Sequence, residues 1–127
     1  MTEDELQVLL ERMVPLEDLH GVIVEEIEDQ DVRLRFPGGA GGGSQARLLA
    51  FVDAALRAVA LPAEIVLSNL NVTFLKAAGE GDAIALARVI RRDGDTVHAE
   101  VWLFSHAAID AVVHATATLT VPYDLER

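Results

Sequence analysis

The chain has 127 residues, no cysteine, and 21 acidic against 10 basic side chains, for a net charge of −11. That length fits a single domain (residues 1–127) able to bury its own core, and the absence of cysteine rules out disulfides and thiolate metal sites. The acidic balance argues against a nucleic-acid partner, because binding phosphates calls for a basic surface. Eleven of the acids fall in residues 1–31 against one base, Arg12, so residues 32–127 carry only −1 and keep local basic patches at Arg88, Arg91 and Arg92. Met1 is followed by acids rather than by a basic and then apolar leader. Arg47, Asp53 and Arg57 interrupt the longest apolar run before it reaches the roughly 20 residues that cross a bilayer. The expectation is a cytoplasmic protein with no membrane partner.

In chain order, residues 3–13 place Leu6, Leu9, Leu10 and Met13 at helical spacing behind Thr2, a fitting N-cap. Residues 21–28 and 31–36 read as two strands, the second alternating Val32, Leu34 and Phe36 with Arg33 and Arg35, and Asp29-Gln30 joins them as a hairpin. A glycine-rich run, residues 38–43, then leads into a segment, residues 44–60, that is apolar on nearly every side. A helix of that kind belongs inside a protein, which makes Asp53 in its middle conspicuous: a buried carboxylate is costly unless paired, and such acids often sit where chemistry happens.

Beyond Pro62 come four runs with period-two alternation, broken at Gly79-Glu80-Gly81, at Asp93-Gly94-Asp95 and near His106, and read together as an antiparallel meander. In the first of them Val66, Leu70, Val72 and Phe74 share one face, and Leu67, Asn69, Asn71 and Thr73 the other. The whole reads as an α+β fold: a curved antiparallel sheet of about six strands wrapped around one long central helix, with a short N-terminal helix. Ile65, Leu67, Trp102 and Phe104 on the face away from the helix point to contact with another subunit.

The arrangement resembles the hotdog fold, and over roughly residues 15–122 the chain is similar to the acyl-CoA thioesterases of the phenylacetyl-CoA and 4-hydroxybenzoyl-CoA type. The resemblance rests on Ser68-Asn69-Leu70-Asn71-Val72-Thr73-Phe74-Leu75-Lys76 with Gly81-Asp82 and Ala87-Arg88-Val89 behind it. It rests also on Leu49-Ala50-Phe51-Val52-Asp53-Ala54-Ala55 in the helix and on His114-Ala115-Thr116-Ala117-Thr118 in the last strand. It implies that Asp53 is the nucleophile or general base at a thioester carbonyl, and that backbone amides of Gly43, Ser44 and Gln45 at the helix start hold the oxyanion. It further implies an acyl-CoA substrate, with coenzyme A as part of that substrate and no separate cofactor. Ser44-Gln45-Ala46 stands where many members carry His-Gly-Gly and another subgroup Ser-Gly-Pro. An acid about nine residues along a helix lies roughly 13–14 Å from its start, so the site would be shared between antiparallel helices of a homodimer, or of a tetramer built as a dimer of dimers.

Each candidate has a rival reading. Asp53 could simply pair with Arg57 one turn on. Asn69 and Asn71 either orient substrate or water or are polar groups of an interface strand. Arg91 and Arg92 either hold coenzyme A phosphates or cap a solvated hairpin. His20, His98, His106 and His114 have no metal-ligand spacing. The helix lacks the His of the dehydratase branch, and Ala58 stands where the hydratase branch has its His. No nucleophile elbow, P-loop or dinucleotide fingerprint is present. Two functions remain: a thioesterase, or a non-catalytic binder of acyl-CoA or a small apolar ligand.

Overall fold

The computed structural model describes residues 2–13, 22–28, 31–36, 45–60, 66–76, 82–105 and 111–120. The glycine run with Gly43 and Ser44, the breaks at 29–30, 79–81 and 106–108, and His20 and His106 lie outside them.

Helix α1 (Glu3–Met13) begins as its sequence requires: the Thr2 hydroxyl accepts from the Glu5 amide at 3.2 Å, and Glu3, Asp4 and Glu5 oppose the positive end of the helix dipole. Leu6 is buried, and Gln7 stitches α1 to the edge of strand β1 (Ile23–Glu28). Its Nε2 donates to the Val22 carbonyl at 2.6 Å and its Oε1 accepts from the Val24 amide at 2.8 Å, so one side chain serves two main-chain groups that lack a neighbouring strand on that side. Gln7→Ala is expected to cost about 1–3 kcal/mol, and Gln7→Glu, which keeps the acceptor but sets a carboxylate oxygen against the Val22 carbonyl, at least as much. Urea unfolding checks both.

The sheet runs β1, β2 (Asp31–Phe36), β4 (Ala83–Asp93), β5 (Thr96–Ser105), β6 (Ala111–Thr120), β3 (Val66–Phe74), with every neighbouring pair antiparallel. The expected meander holds for β4, β5 and β6, with the β4–β5 turn made at Gly94, whose φ of 63° suits glycine. It fails for β3, which pairs with β6 at the far edge and not with β4. The cause is helix α2 (Gln45–Ala60): it lies across the sheet on β2, β4, β5 and β6, and carries the chain from β2 over to the opposite edge.

Small residues set how closely α2 lies on the sheet. Ala85, Ala87, Ala99, Ala115 and Ala117 form its floor, and Ala54, Ala55 and Ala58 face inward from the helix, all buried. Leu86, between Arg33 and Trp102 in the register, points to the outer face and is exposed, and Ile90, at the register slip between Val89 and Arg91, is exposed as well. Phe36 and Phe51 stack between β2 and α2, with ring centroids 4.2 Å apart and planes at 16°. A second correction concerns β3. The register slips between Leu67 and Asn69, so a bulge at Ser68 brings Leu67 onto the core side with Leu70 and Val72, while Val66 is exposed. Strict alternation had put Leu67 on the opposite face.

Candidate active site

From Leu48 to Ala60 every residue of α2 is buried except Leu49, Ala50, Asp53 and Arg57. Those four lie on one stripe, at i, i+1, i+4 and i+8. The expectation that Asp53 is buried within its own chain is therefore corrected: its side chain is 42% exposed. The other nine residues from Leu48 to Ala60 are buried and this stripe is not, so the acid is open to solvent or to a second molecule.

The ion pair with Arg57 forms. Arg57 Nε donates to Asp53 Oδ1 at 3.0 Å and to Oδ2 at 3.1 Å, across a single helical turn. One N–H divided between two oxygens leaves lone pairs on both, so the guanidinium fixes the carboxylate without using up its capacity to accept a proton. With Arg57 itself 31% exposed, the pair adds only a few tenths of a kcal/mol to stability. At the other end of the helix, the first turn from Gln45 contains no acid to oppose the positive end of the dipole. Eight residues separate Gln45 from Asp53, about 12 Å along the axis, so one chain cannot bring both to the same carbonyl.

The remaining candidates lie elsewhere. Asn69 and Asn71 sit on the outer face of β3, opposite Thr118 and Thr116 of β6, and Asn71 Nδ2 donates to Asn69 Oδ1 at 2.9 Å. Within one chain the sheet separates them from Asp53. Arg91 and Arg92 are exposed beside the β4–β5 turn, and Arg91 reaches His98 at 3.2 Å. A hollow of about 320 Å³ is also on the outer face, walled by Glu26, Glu28, Asp31, Arg33, Leu86 and Trp102. It is remote from the stripe that carries Asp53.

No family model and no curated protein sequence matches this chain. Solved structures do. Zebrafish thioesterase superfamily member 2 superposes with a TM-score of 0.82 at 19% identity, covering 96% of this chain and 99% of its own. A thioesterase family protein from Silicibacter pomeroyi gives 0.76 at 18%, covering 92% and 95%, and a mutant thioesterase from Pseudomonas aeruginosa gives 0.77 at 18%, covering 97% and 96%. The fold is the hotdog fold. At such identities the likeness carries the hotdog architecture and not a reaction. Among the described residues, no helix is long and apolar enough to cross a membrane, and no group of three His, Asp or Glu could hold a metal ion.

One cluster on the outer face of this hotdog sheet escaped the sequence reading. Glu100, with a side chain only 12% exposed, accepts from Arg88 Nε through Oε1 and meets His114 Nε2 at 3.2 Å through Oε2, and His114 stacks on Trp102 at 3.9 Å. The signal was present in the alternation of β5: an acid at an outward position between His98 and Trp102. Burial pushes the Glu100 carboxyl up, but hydrogen bonds and charge from His114 and Arg88 outweigh it and hold it below its usual value of 4.5. Glu25, at the β1 bulge, is likewise raised by burial yet lowered overall by Arg33 and Arg35, whose Nε atoms it accepts from at 2.9 and 2.7 Å. A carboxylate depressed in the folded state contributes stability above its unfolded pKa, and that contribution is lost as pH falls through the folded pKa. Stability is thus expected to drop below about pH 4.5, and Glu100→Gln should flatten that acid limb. Urea midpoints measured across this range check it, and unchanged pH dependence in the variant would remove Glu100 as a source.

Proposed function

We propose that this protein is an acyl-CoA thioesterase that hydrolyses the thioester of a small or medium acyl-CoA at the interface of a homodimer. The observation that carries the reading is the narrow uncovered stripe of α2, with a carboxylate at its centre and the other nine residues from Leu48 to Ala60 buried. The hotdog architecture, shared with proteins named as thioesterases, supports the same reaction class.

In this reading Asp53 of one subunit removes a proton from water as the oxygen adds to the thioester carbonyl. The oxyanion that forms is met by backbone amides of Gly43, Ser44 and Gln45 from the other subunit, aided by the positive end of the helix dipole. Collapse breaks the C–S bond, and the coenzyme A thiolate regains the proton from Asp53. Direct attack by Asp53, giving an anhydride that water then opens, is the covalent variant. Label found in the enzyme after a single turnover in heavy-oxygen water would establish the anhydride route opened at the Asp53 carbonyl, because general-base attack by water puts the label only in the acyl product. Asn69 and Asn71 would contribute from an interface strand, and Arg91 and Arg92 would offer charge to the coenzyme A phosphates.

Dimer formation is supported by β3. It closes the sheet order with a strand on one side only, and most of its residues are exposed, including Val66 and Phe74. The test is thiol release over a panel of short, aromatic and long acyl-CoAs. Release on at least one substrate is expected; none on any, with acyl-CoA still bound, would make the protein a binder. Sedimentation showing only single chains at micromolar concentration would overturn the shared site.

A further inference from the structure

The hollow of about 320 Å³ on the outer face has the size of a small-molecule site, and the apolar part of its lining comes from Val32, Leu86, Ala87 and Trp102. The Trp102 indole is backed by the His114 ring at 3.9 Å, which holds it in place as a wall. Strand register gathers the acids at the other end. Glu28 lies directly across from Asp31, and Glu26 is two residues along on the same face, across from Arg33. Arg33 and Arg88 also line the hollow, but each is committed elsewhere: Arg33 Nε donates to Glu25 at 2.9 Å and Arg88 Nε to Glu100, carboxylates that are not among its walls. Glu26, Glu28 and Asp31 make no ion pair with a described Lys or Arg. Like charges set opposite one another destabilise a sheet. A hydrogen bond to Glu26 and the charges of Glu26 and Asp31 push the Glu28 carboxyl above its usual value of 4.5.

We propose that this hollow binds a small organic cation, an ammonium carried on an apolar body, with its charge among Glu26, Glu28 and Asp31 and its body against Leu86 and Trp102. Each part of the lining selects against a different rival. A neutral apolar molecule leaves the three carboxylates crowded, and an anion is repelled by them. A bare metal ion gains nothing from the apolar wall, and among the described residues no three His, Asp or Glu are placed to hold one. An ammonium gives charge-assisted hydrogen bonds to the carboxylates, and indole is the aromatic ring that best attracts a cation to its face. Its arrival also relieves the repulsion around Glu28, a gain available to a cation alone. The site lies on the side of the sheet away from α2 and does not depend on thioester hydrolysis.

Trp102 is the sole tryptophan of the chain, so its fluorescence reports occupancy without a label. The probes are benzylamine, charged at neutral pH, and benzyl alcohol and benzoate, its neutral and anionic counterparts of similar size. Benzylamine is expected to change the emission of the full chain saturably and to bind about tenfold tighter than benzyl alcohol, while benzoate does not bind. The double variant Glu26→Gln, Glu28→Gln is expected to bring benzylamine down to the affinity of the alcohol and to leave the alcohol unchanged. Both positions are exposed, and circular dichroism checks that the variant is folded. The comparison of the three probes needs only the wild type, so it decides the matter even if the variant folds poorly. No saturable change with benzylamine, equal affinity for amine and alcohol, or wild-type amine affinity in the folded double variant would overturn the proposal. A wild type that hydrolyses no acyl-CoA yet binds benzylamine in this pattern would end the thioesterase reading and leave this site standing, and thiol release without amine binding would do the reverse.

Discussion

Asp53→Asn is expected to lower the rate of thiol release about a thousandfold, within the roughly 10²–10⁴ range that a positioned general base contributes. The substitution suits the question because it removes basicity and little else. The amide has the shape of the carboxylate, and its oxygen still accepts from Arg57 Nε, which lies 3.0 Å from Oδ1. The lost ion pair is partly exposed at both ends and spans one helical turn, so unfolding should shift by less than about 0.5 kcal/mol. Activity and stability are thereby separated. Wild-type and variant proteins of equal rate and equal assembly would remove Asp53 from the chemistry and leave the Arg57 pair as its whole role.

Phe51→Ala should have the largest effect on stability. Phe51 and Phe36 are each 1% exposed and stack at 4.2 Å, and they join α2 to the end of β2 where the chain leaves the sheet toward the glycine run. Truncating a buried phenylalanine costs about 3–5 kcal/mol, a large part of the ~5–15 kcal/mol that holds an ordinary domain together. A urea midpoint lowered by less than about 1 kcal/mol equivalent would mean that the helix can settle onto the sheet, against the close packing described here.

Much of this architecture was legible in sequence, and the misses share a cause. Period-two alternation placed the strands, and the apolar helix was found to within a residue, because burial on one side writes itself into local spacing. What local spacing cannot carry is which distant segment lies alongside. β3 joins β6 rather than β4 because α2 transports the chain across the sheet, and no residue in β3 records that. The bulge at Ser68 reversed Leu67 for a similar reason, since one inserted residue shifts every position before it to the other face. Asp53 stood out as an acid in an apolar helix, but its exposure depended on how far the sheet reaches around α2. Glu100 went unremarked because an acid on an outward strand position is ordinary until Arg88 and His114 close on it.

The uncovered stripe of α2 also bears on how such a protein can change. Of the thirteen residues from Leu48 to Ala60, nine are committed to the sheet and four are visible from outside. Folding and, on the proposed function, chemistry are therefore written in separate letters of the same helix. A substitution at 49, 50, 53 or 57 can alter what a bound molecule meets while leaving the nine that hold the helix down untouched. What the stripe recognises can drift, or be redesigned, on a scaffold that barely registers the change.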